Sequence, residues 1–169
     1  MADSGNPLPE RENEGNTFRY RDDAVPDEPA VSLDSFFDQS NATAVRIEAG
    51  DDVRLLLPVL DRVRLVEIDF PKFRDGRGFS SARMLREAGY KGEIKATGDV
   101  LVDLMYFMRR CGFDSFAPDV ALNPVDVEAA LNRYPHVYQH AADDAVPIWA
   151  LRHPELRPKS AEYGTAESA

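Results

Sequence analysis

Between residues 44 and 134, short runs of apolar and β-branched residues alternate with segments in which apolar residues recur at helical spacing. The first pattern is typical of strands and the second of amphipathic helices. The pattern predicts strands at residues 44–49, 64–70, 93–97 and 115–119, each followed by a helix.

Four consecutive strand–helix units predict an α/β fold with a parallel sheet and helices packed against it. Each crossover between parallel strands is expected to be right-handed. A half-barrel-like arrangement and an open doubly wound sheet both satisfy this pattern. We prefer the half-barrel-like form, and the alternation of elements does not separate the two.

Capping residues predict where the first three helices begin. Asp51 or Asp52 is placed to cap the first helix, which Pro58 should kink or shorten. Ser80 is predicted to open the second helix, and Asp99 to cap the third.

Glycine and proline predict the remaining helix ends. Gly89 stands where a left-handed C-cap belongs after the second helix, and Gly112 is predicted to close the third. Asn123 and Pro124 are predicted as the N-cap and first residue of a fourth helix that reaches Tyr134.

The polar ends of the chain predict its domain organisation. Residues 1–30 are rich in Pro, Asp, Glu, Asn and Gly, and we expect a disordered acidic arm there. Residues 31–151 are predicted to form a single α/β domain. Residues 152–169 contain two prolines and no apolar period, which is typical of a flexible tail.

Charge limits the kinds of partner that the chain is expected to have. The formal net charge is −10, and residues 1–40 contribute ten acidic against three basic side chains. Residues 69–99 instead hold seven Lys or Arg against five Asp or Glu, a local +2. This basic island is too small for a nucleic-acid surface.

The sequence carries no recognisable membrane or export segment. No apolar run approaches the roughly 18 residues of a membrane span, and the polar N-terminus lacks the features of a secretory signal. A cytoplasmic location is therefore expected.

The scarcity of cysteine and the positions of the histidines argue against a metal or redox centre. Cys111 is the single cysteine, so no internal disulfide forms, and it is predicted to be an inert buried thiol. The histidines His136, His140 and His153 fall late in the chain with no further ligand nearby. No metal and no cofactor are predicted, because nucleotide, flavin and iron–sulfur fingerprints are missing.

The turn "FRDGRGFSS" after the second strand is the strongest candidate binding site. Glycines permit close backbone approach, the first turn of a helix offers free N–H groups, and arginine binds oxyanions bidentately. We predict a small-anion site formed by Arg74, Gly76, Arg77, Gly78, Ser80, Ser81 and Lys95. From residue types alone, a purely structural turn is the preferred alternative.

Three carboxylates near predicted strand ends are candidates for acid–base chemistry. Sites in parallel sheets gather at the carboxyl ends of the strands. Asp69, Asp75 and Asp99 are predicted to lie there and would act beside Arg77 and Lys95 if the protein is catalytic.

Three longer stretches carry a family resemblance. "DFPKFRDGRGFSSARMLRE", "GEIKATGDVLVD" and "RCGFDSF" closely resemble the DUF934 family of bacterial proteins, although Leu104 replaces the family's usual Gln. Members are described as probable oxidoreductases involved in sulfite reduction, often encoded beside the assimilatory sulfite reductase. The resemblance assigns no catalytic residue.

The resemblance implies a place in sulfur assimilation and leaves the mechanism open. One hypothesis is an accessory protein, or probable oxidoreductase, that binds a small anion, an anionic cofactor such as sirohaem, or sulfite reductase itself. The alternative is a stand-alone enzyme that acts on a small anionic substrate. Whether the chain is an enzyme stays open at this stage.

Overall fold

Six strands of the described chain form one sheet in the order β1-β6-β5-β4-β3-β2. The structure is a computed structural model that describes residues 16–24, 28–143, 145–153 and 155. The strands are β1 (Phe18–Arg19), β2 (Val31–Ser32), β3 (Ala44–Ile47), β4 (Leu65–Phe70), β5 (Glu93–Gly98) and β6 (Ser115–Pro118). The helices are α1 (Leu33–Asp38), α2 (Arg77–Glu87), α3 (Val102–Cys111), α4 (Pro124–Leu131) and α5 (Ile148–Arg152), with a 3-10 helix at Val53–Arg62.

Strands β2 to β6 are parallel and follow one another in sequence order, which confirms the predicted α/β class. β1 adds an antiparallel edge strand beside β6. The order contains no reversal, and a reversal of strand order is what defines a doubly wound sheet. The strand order therefore favours the half-barrel-like alternative.

The two faces of the sheet differ in polarity. Val66, Ile68 and Phe70 alternate along β4 into the main apolar core, where they meet Ile94 and Ala96 of β5. Successive side chains of a strand point to opposite faces, so the residues between them lie on the other side of the sheet. That other face is polar, and its central ion pairs join Glu67 to Arg46 and to Lys95 at 2.9 and 3.2 Å.

The helix after β3 is a 3-10 helix interrupted near a proline. Asp52 caps it by accepting a hydrogen bond from the Arg54 N–H at 3.1 Å. Pro58 lies inside, and Val59 leaves helical geometry with φ −126°. Proline cannot donate a helical hydrogen bond and it crowds the preceding turn. This confirms the predicted effect of Pro58.

Helices α2 and α3 begin at residues other than those predicted. α2 starts at Arg77, and not at Ser80, because the Asp75 carboxylate already accepts the Arg77 N–H at 3.2 Å. α3 starts after Leu101, and the predicted cap Asp99 instead accepts the Phe73 N–H at 2.9 Å. Both predictions were wrong, because the N-cap positions are Gly76 and Leu101, and neither helix has a side-chain cap at its N-cap residue.

The other helix ends follow the sequence signals closely. Gly89 adopts a left-handed φ of +87° after α2, which confirms its predicted C-cap. Gly112, with φ +107°, ends α3 as predicted. Asn123 caps α4 through its side chain, with Pro124 in the first turn. α4 ends at Leu131, so the predicted extension to Tyr134 is wrong.

Part of the predicted N-terminal arm belongs to the domain. Residues 16–24 include β1, and Arg19 pairs with the buried Glu93 at 2.8 Å while Arg21 reaches Asp114 at 3.3 Å. The expected disorder of residues 1–30 is therefore wrong for this stretch. At the other end, Arg152 closes α5 and so falls within a helix. The remainder of both predicted tails lies outside the described residues, apart from residues 28–30, 153 and 155.

The thiol of Cys111 lies half-buried on α3. Burial raises its pKa, against the opposing charges of Arg83 and Arg110. A raised pKa leaves less of the reactive thiolate at any given pH, so the environment suits an inert thiol.

We expect native Cys111 to react with iodoacetamide at pH 7 more slowly than the same thiol in denaturant, because only the thiolate attacks. The rate of alkylation should keep rising at pH values at which an ordinary thiol is already fully ionised, because the pKa of Cys111 is raised. Mass spectrometry of timed samples measures this directly. Native alkylation as fast as that of the denatured chain would show that Cys111 is accessible and activated.

Candidate functional site

A pocket of about 130 Å³ lies where the carboxyl ends of β3 and β4 meet the first turn of α2. It gathers five of the ten predicted site residues, which are Asp69, Asp75, Arg77, Gly78 and Ser81. The remainder of its wall comes from the ends of β3 and β4 and from the turn at residues 48–51. Its position agrees with the rule that sites of parallel sheets form at the carboxyl ends of the strands.

The arginine of this pocket is bound within the protein. Arg77 donates two hydrogen bonds to the Asp75 carboxylate, at 2.9 Å from Nε and 2.6 Å from Nη2. These bonds lower the pKa of Asp75 to about 2. Asp75 is thus ionised at neutral pH and cannot act there as a proton donor. The Arg77 charge is balanced, and the forked face of its guanidinium is occupied.

Carboxylates outnumber basic groups around the pocket. Glu48, Asp51, Asp69 and Asp75 line it together with the single basic residue Arg77. Asp51 also closes the turn after β3 by accepting the Glu48 N–H at 2.8 Å. A net negative wall repels sulfite or phosphate. The small-anion site remains a prediction, and the electrostatics of this pocket weigh against it.

Gly78 has a packing role that explains its place in the motif. A β-carbon there would lie 2.5 Å from the Phe70 ring and 3.0 Å from Ile68. α2 therefore crosses β4 at a distance that only glycine permits. Gly76 instead faces open space, since no neighbouring atom lies within 4 Å of the position that a β-carbon would take. The close approach predicted for the turn occurs at Gly78 and is made to the protein's own core.

The other predicted residues lie away from the pocket. Lys95 stands within β5 and not at its end, and it pairs with Glu67 on the polar face of the sheet. Ser80 is exposed on α2. Asp99 accepts a hydrogen bond from the Phe73 backbone N–H.

Asp69, by contrast, lines the pocket, and its carboxylate accepts a hydrogen bond from the Thr97 hydroxyl at 3.1 Å.

The loop between β4 and α2 presents a feature that the sequence analysis missed. Lys72, Phe73 and Arg74 are all exposed at its tip, and the Phe73 side chain stays 37% accessible. The Arg74 guanidinium lies 5.3 Å from the Phe73 ring centroid, and Arg74 forms no ion pair with any described residue. The sequence does carry a signal for this surface: an aromatic residue between two basic ones, in a loop bounded by Pro71 and Gly76.

The sequence profile of a bacterial family of unknown function, DUF934, matches residues 44–149. That range is more than half of the chain and contains both the pocket and the exposed loop. The chain belongs to the DUF934 family. No curated protein and no solved structure gives a significant match to it.

The DUF934 match leaves β1, β2 and α1 outside its bounds, so both edge strands of the sheet lie on the N-terminal side of the matched residues.

Across the part of the chain that the structure describes, no helix combines the length and apolarity needed to cross a membrane. The same residues contain no group of three or more His, Cys, Asp or Glu side chains arranged to hold a metal ion.

Proposed function

We propose that this DUF934 protein is an accessory protein of assimilatory sulfite reduction that docks on sulfite reductase through the loop between β4 and α2. The resemblance to proteins described as probable oxidoreductases of sulfite reduction supplies the pathway. The exposed tip formed by Lys72, Phe73 and Arg74 supplies the docking surface. That tip is the single observation on which the proposal depends.

The chemistry of the loop suits a protein partner with an acidic surface. Aromatic residues and arginine are enriched among the few side chains that dominate binding energy at interfaces. Phe73 offers an apolar anchor, while Lys72 and Arg74 add two positive charges beside it. Arg74 is available for a partner's carboxylate, whereas the guanidinium of Arg77 is already bound to Asp75.

The backbone of the loop is held in one conformation before any partner arrives. Asp99 accepts the Phe73 N–H at 2.9 Å, and the Asp75 N–H donates to the Lys72 carbonyl at 2.9 Å. A binding loop that is already ordered loses less conformational entropy on association. These contacts give Asp75 and Asp99 a positioning role in the proposed interface.

Phe73→Ala and Arg74→Ala are each expected to weaken binding to sulfite reductase at least tenfold, which is about 1.4 kcal/mol. The measurement is surface-immobilised binding of the purified full chain to the sulfite reductase of the same bacterium, at two salt concentrations. Wild-type affinity should fall with salt, because charged groups steer and hold the complex.

Two substitutions serve as matched controls for this experiment. Phe37→Ala removes a similarly exposed phenylalanine on α1, and Arg54→Ala removes an exposed arginine of the 3-10 helix. Both should leave binding unchanged. Equal affinities for the Phe73, Arg74 and control variants would reject the loop as the docking surface. No binding by the wild type would reject the accessory role itself.

The pocket beside α2 favours a second candidate, a stand-alone enzyme that uses Asp69. Asp69 is half-buried and positioned by Thr97, with Ser81 in the same wall. In a deletion strain grown on sulfate as its sulfur source, Asp69→Asn would abolish complementation under this hypothesis. The accessory role predicts that Asp69→Asn complements and that Phe73→Ala does not.

A further inference from the structure

A second and larger cavity lies on the helical side of the sheet, between α3, α4 and the edge strand β1. Its volume of about 570 Å³ falls within the roughly 300–1,000 Å³ of small-molecule sites. It shares no lining residue with the pocket beside α2. We call it the α3–α4 groove.

Three aromatic side chains line the groove. Phe18 and Tyr20 line it from β1 and the residue that follows, and Tyr106 lines it from α3. Val127 of α4 is almost fully buried and provides an apolar floor. Rings at the walls and an aliphatic floor suit a flat apolar body, because aromatic groups pack well in offset or edge-to-face arrangements.

Two consecutive arginines of α3 also line the groove, and they differ in what they bind. Arg110 pairs with Asp143 at 2.6 Å and donates to the Gln139 carbonyl. Arg109 donates one hydrogen bond, to the Phe113 carbonyl at 3.1 Å, and forms no ion pair with any described residue. Since a guanidinium has five N–H donors, Arg109 retains donors for an anionic group.

Arg109 is placed beside the aromatic wall. Its guanidinium carbon lies 4.9 Å from the centroid of the Tyr20 ring, within cation–π distance. Burial raises the pKa of the Tyr20 hydroxyl against the effect of the Arg109 charge. Tyr20 therefore stays neutral at physiological pH and adds a hydrogen-bonding group without adding a negative charge.

The charges of the groove favour a ligand with a single negative charge. Asp143 is paired with Arg110, which leaves Glu128 as the other carboxylate of the lining. Glu128 is exposed to solvent, which weakens its repulsion of an anion without removing it, whereas Arg109 is half-buried. One half-buried cation favours a monoanion, and the exposed carboxylate disfavours a molecule with several negative charges.

We propose that the α3–α4 groove binds a planar aromatic monoanion, with its ring system beside Tyr20 and Tyr106 and its acidic group on Arg109. The inference concerns a site separate from the docking loop and stands whether or not that loop binds sulfite reductase. The proposal gives this groove a ligand class, whereas the DUF934 match by itself assigns it no ligand.

Anilinonaphthalene sulfonate, a fluorescent aromatic sulfonate, is the probe for this site. Fluorescence titration of the full folded chain should show one saturable site per molecule. Arg109→Gln should weaken binding at least tenfold by removing a charge-assisted contact. Glu128→Gln should tighten binding about two- to fivefold by removing the repelling carboxylate.

Arg133→Gln is the matched control, because Arg133 is an exposed arginine just beyond α4 that pairs with Asp103 and does not line the groove. It should leave the titration unchanged. Phenylnaphthylamine, which keeps the rings and lacks the sulfonate, should bind wild type and Arg109→Gln equally well. Melting curves for every variant exclude binding to partly unfolded chains, which also take up the probe.

Three results would overturn the proposal. The first is a wild-type titration without a saturable one-to-one site. The second is an Arg109→Gln affinity equal to that of Arg133→Gln. The third is a Glu128→Gln affinity equal to or weaker than that of wild type, and this test applies even if Arg109→Gln fails to fold.

Discussion

Arg86→Met is expected to lower the free energy of unfolding by about 3 kcal/mol. The Arg86 guanidinium bridges three segments of the fold. It donates to the carbonyls of Tyr90 and Gly92 at 2.8 and 2.9 Å, and to the Gly112 carbonyl at 3.0 and 2.9 Å. It also pairs with the Asp114 carboxylate.

The cost is large because the partners of Arg86 have little access to water. The Arg86 and Asp114 side chains are only 14% and 16% exposed. Asp114 also accepts the Ile94 N–H at 3.0 Å, so its position affects the pairing of β5 with β6. Methionine restores most of the volume but removes every Arg86 donor at once. Asp114 then keeps its contacts with Arg21 and the Ile94 N–H but loses its shortest ion pair, and the Tyr90 and Gly112 carbonyls lose their bonds to Arg86. Losing several partly buried bonds together is more costly than losing one contact.

Arg83→Met provides the matched control, since Arg83 lies one turn away on α2. Its side chain is 62% exposed, and it pairs with Glu87 at 2.7 Å on the same helix. An exposed pair of this kind contributes less than about 1 kcal/mol. Urea unfolding of both variants gives the comparison, and equal losses of stability would show that the Arg86 network contributes no more than a surface pair.

Gly98→Ala is the second substitution with a large expected effect, about 3 kcal/mol of lost stability. Gly98 ends β5 with φ +89°, a conformation that side-chain-bearing residues rarely adopt. A β-carbon there would lie 2.4 Å from the Phe70 carbonyl oxygen. That oxygen accepts the Asp99 N–H at 2.7 Å, so the clash falls on an existing hydrogen bond.

Thermal unfolding measures this effect, and the melting temperature should fall by about 6–12 °C. Gly89→Ala is the control, because Gly89 has a similar φ of +87° and nothing within 4 Å of an added β-carbon. It should show the conformational strain alone, about 1 kcal/mol. Equal shifts for the two variants would show that the contact with Phe70 adds nothing.

Gly98 also connects stability to the proposed interface. The residue after it, Asp99, holds the Phe73 N–H. A substitution that shifts the end of β5 should therefore weaken the proposed docking even at temperatures where the protein remains folded.

Local signals in the sequence predicted the elements of the fold well. Strands β3 to β6 were recognisable because residues two apart share a face and must be apolar where that face is buried. The caps at Asp52 and Asn123 and the glycines at 89 and 112 were recognisable for a similar reason. Each depends on groups only a few residues apart.

The candidate site was only partly predictable, because its charge is assembled from distant segments. The sequence placed Arg77 in a basic island, whereas the fold brings Glu48 and Asp51 from the turn after β3 into the same pocket. Asp99 likewise bonds to Phe73, which is 26 residues away, instead of capping the next helix. Charged and hydrogen-bonding groups become partners when the fold brings them close in space, whatever their separation along the chain.

The sequence by itself determined the family, the α/β class and the positions along the chain of the four βα units between residues 44 and 131. The tertiary structure decided the unbroken strand order, the recruitment of β1 to the sheet edge, the balanced charge of Arg77, and the groove between α3 and α4. The physical reason is the range of the forces involved. Backbone geometry and capping act over a few residues, whereas packing and ion pairing depend on which distant segments the folded chain brings into contact.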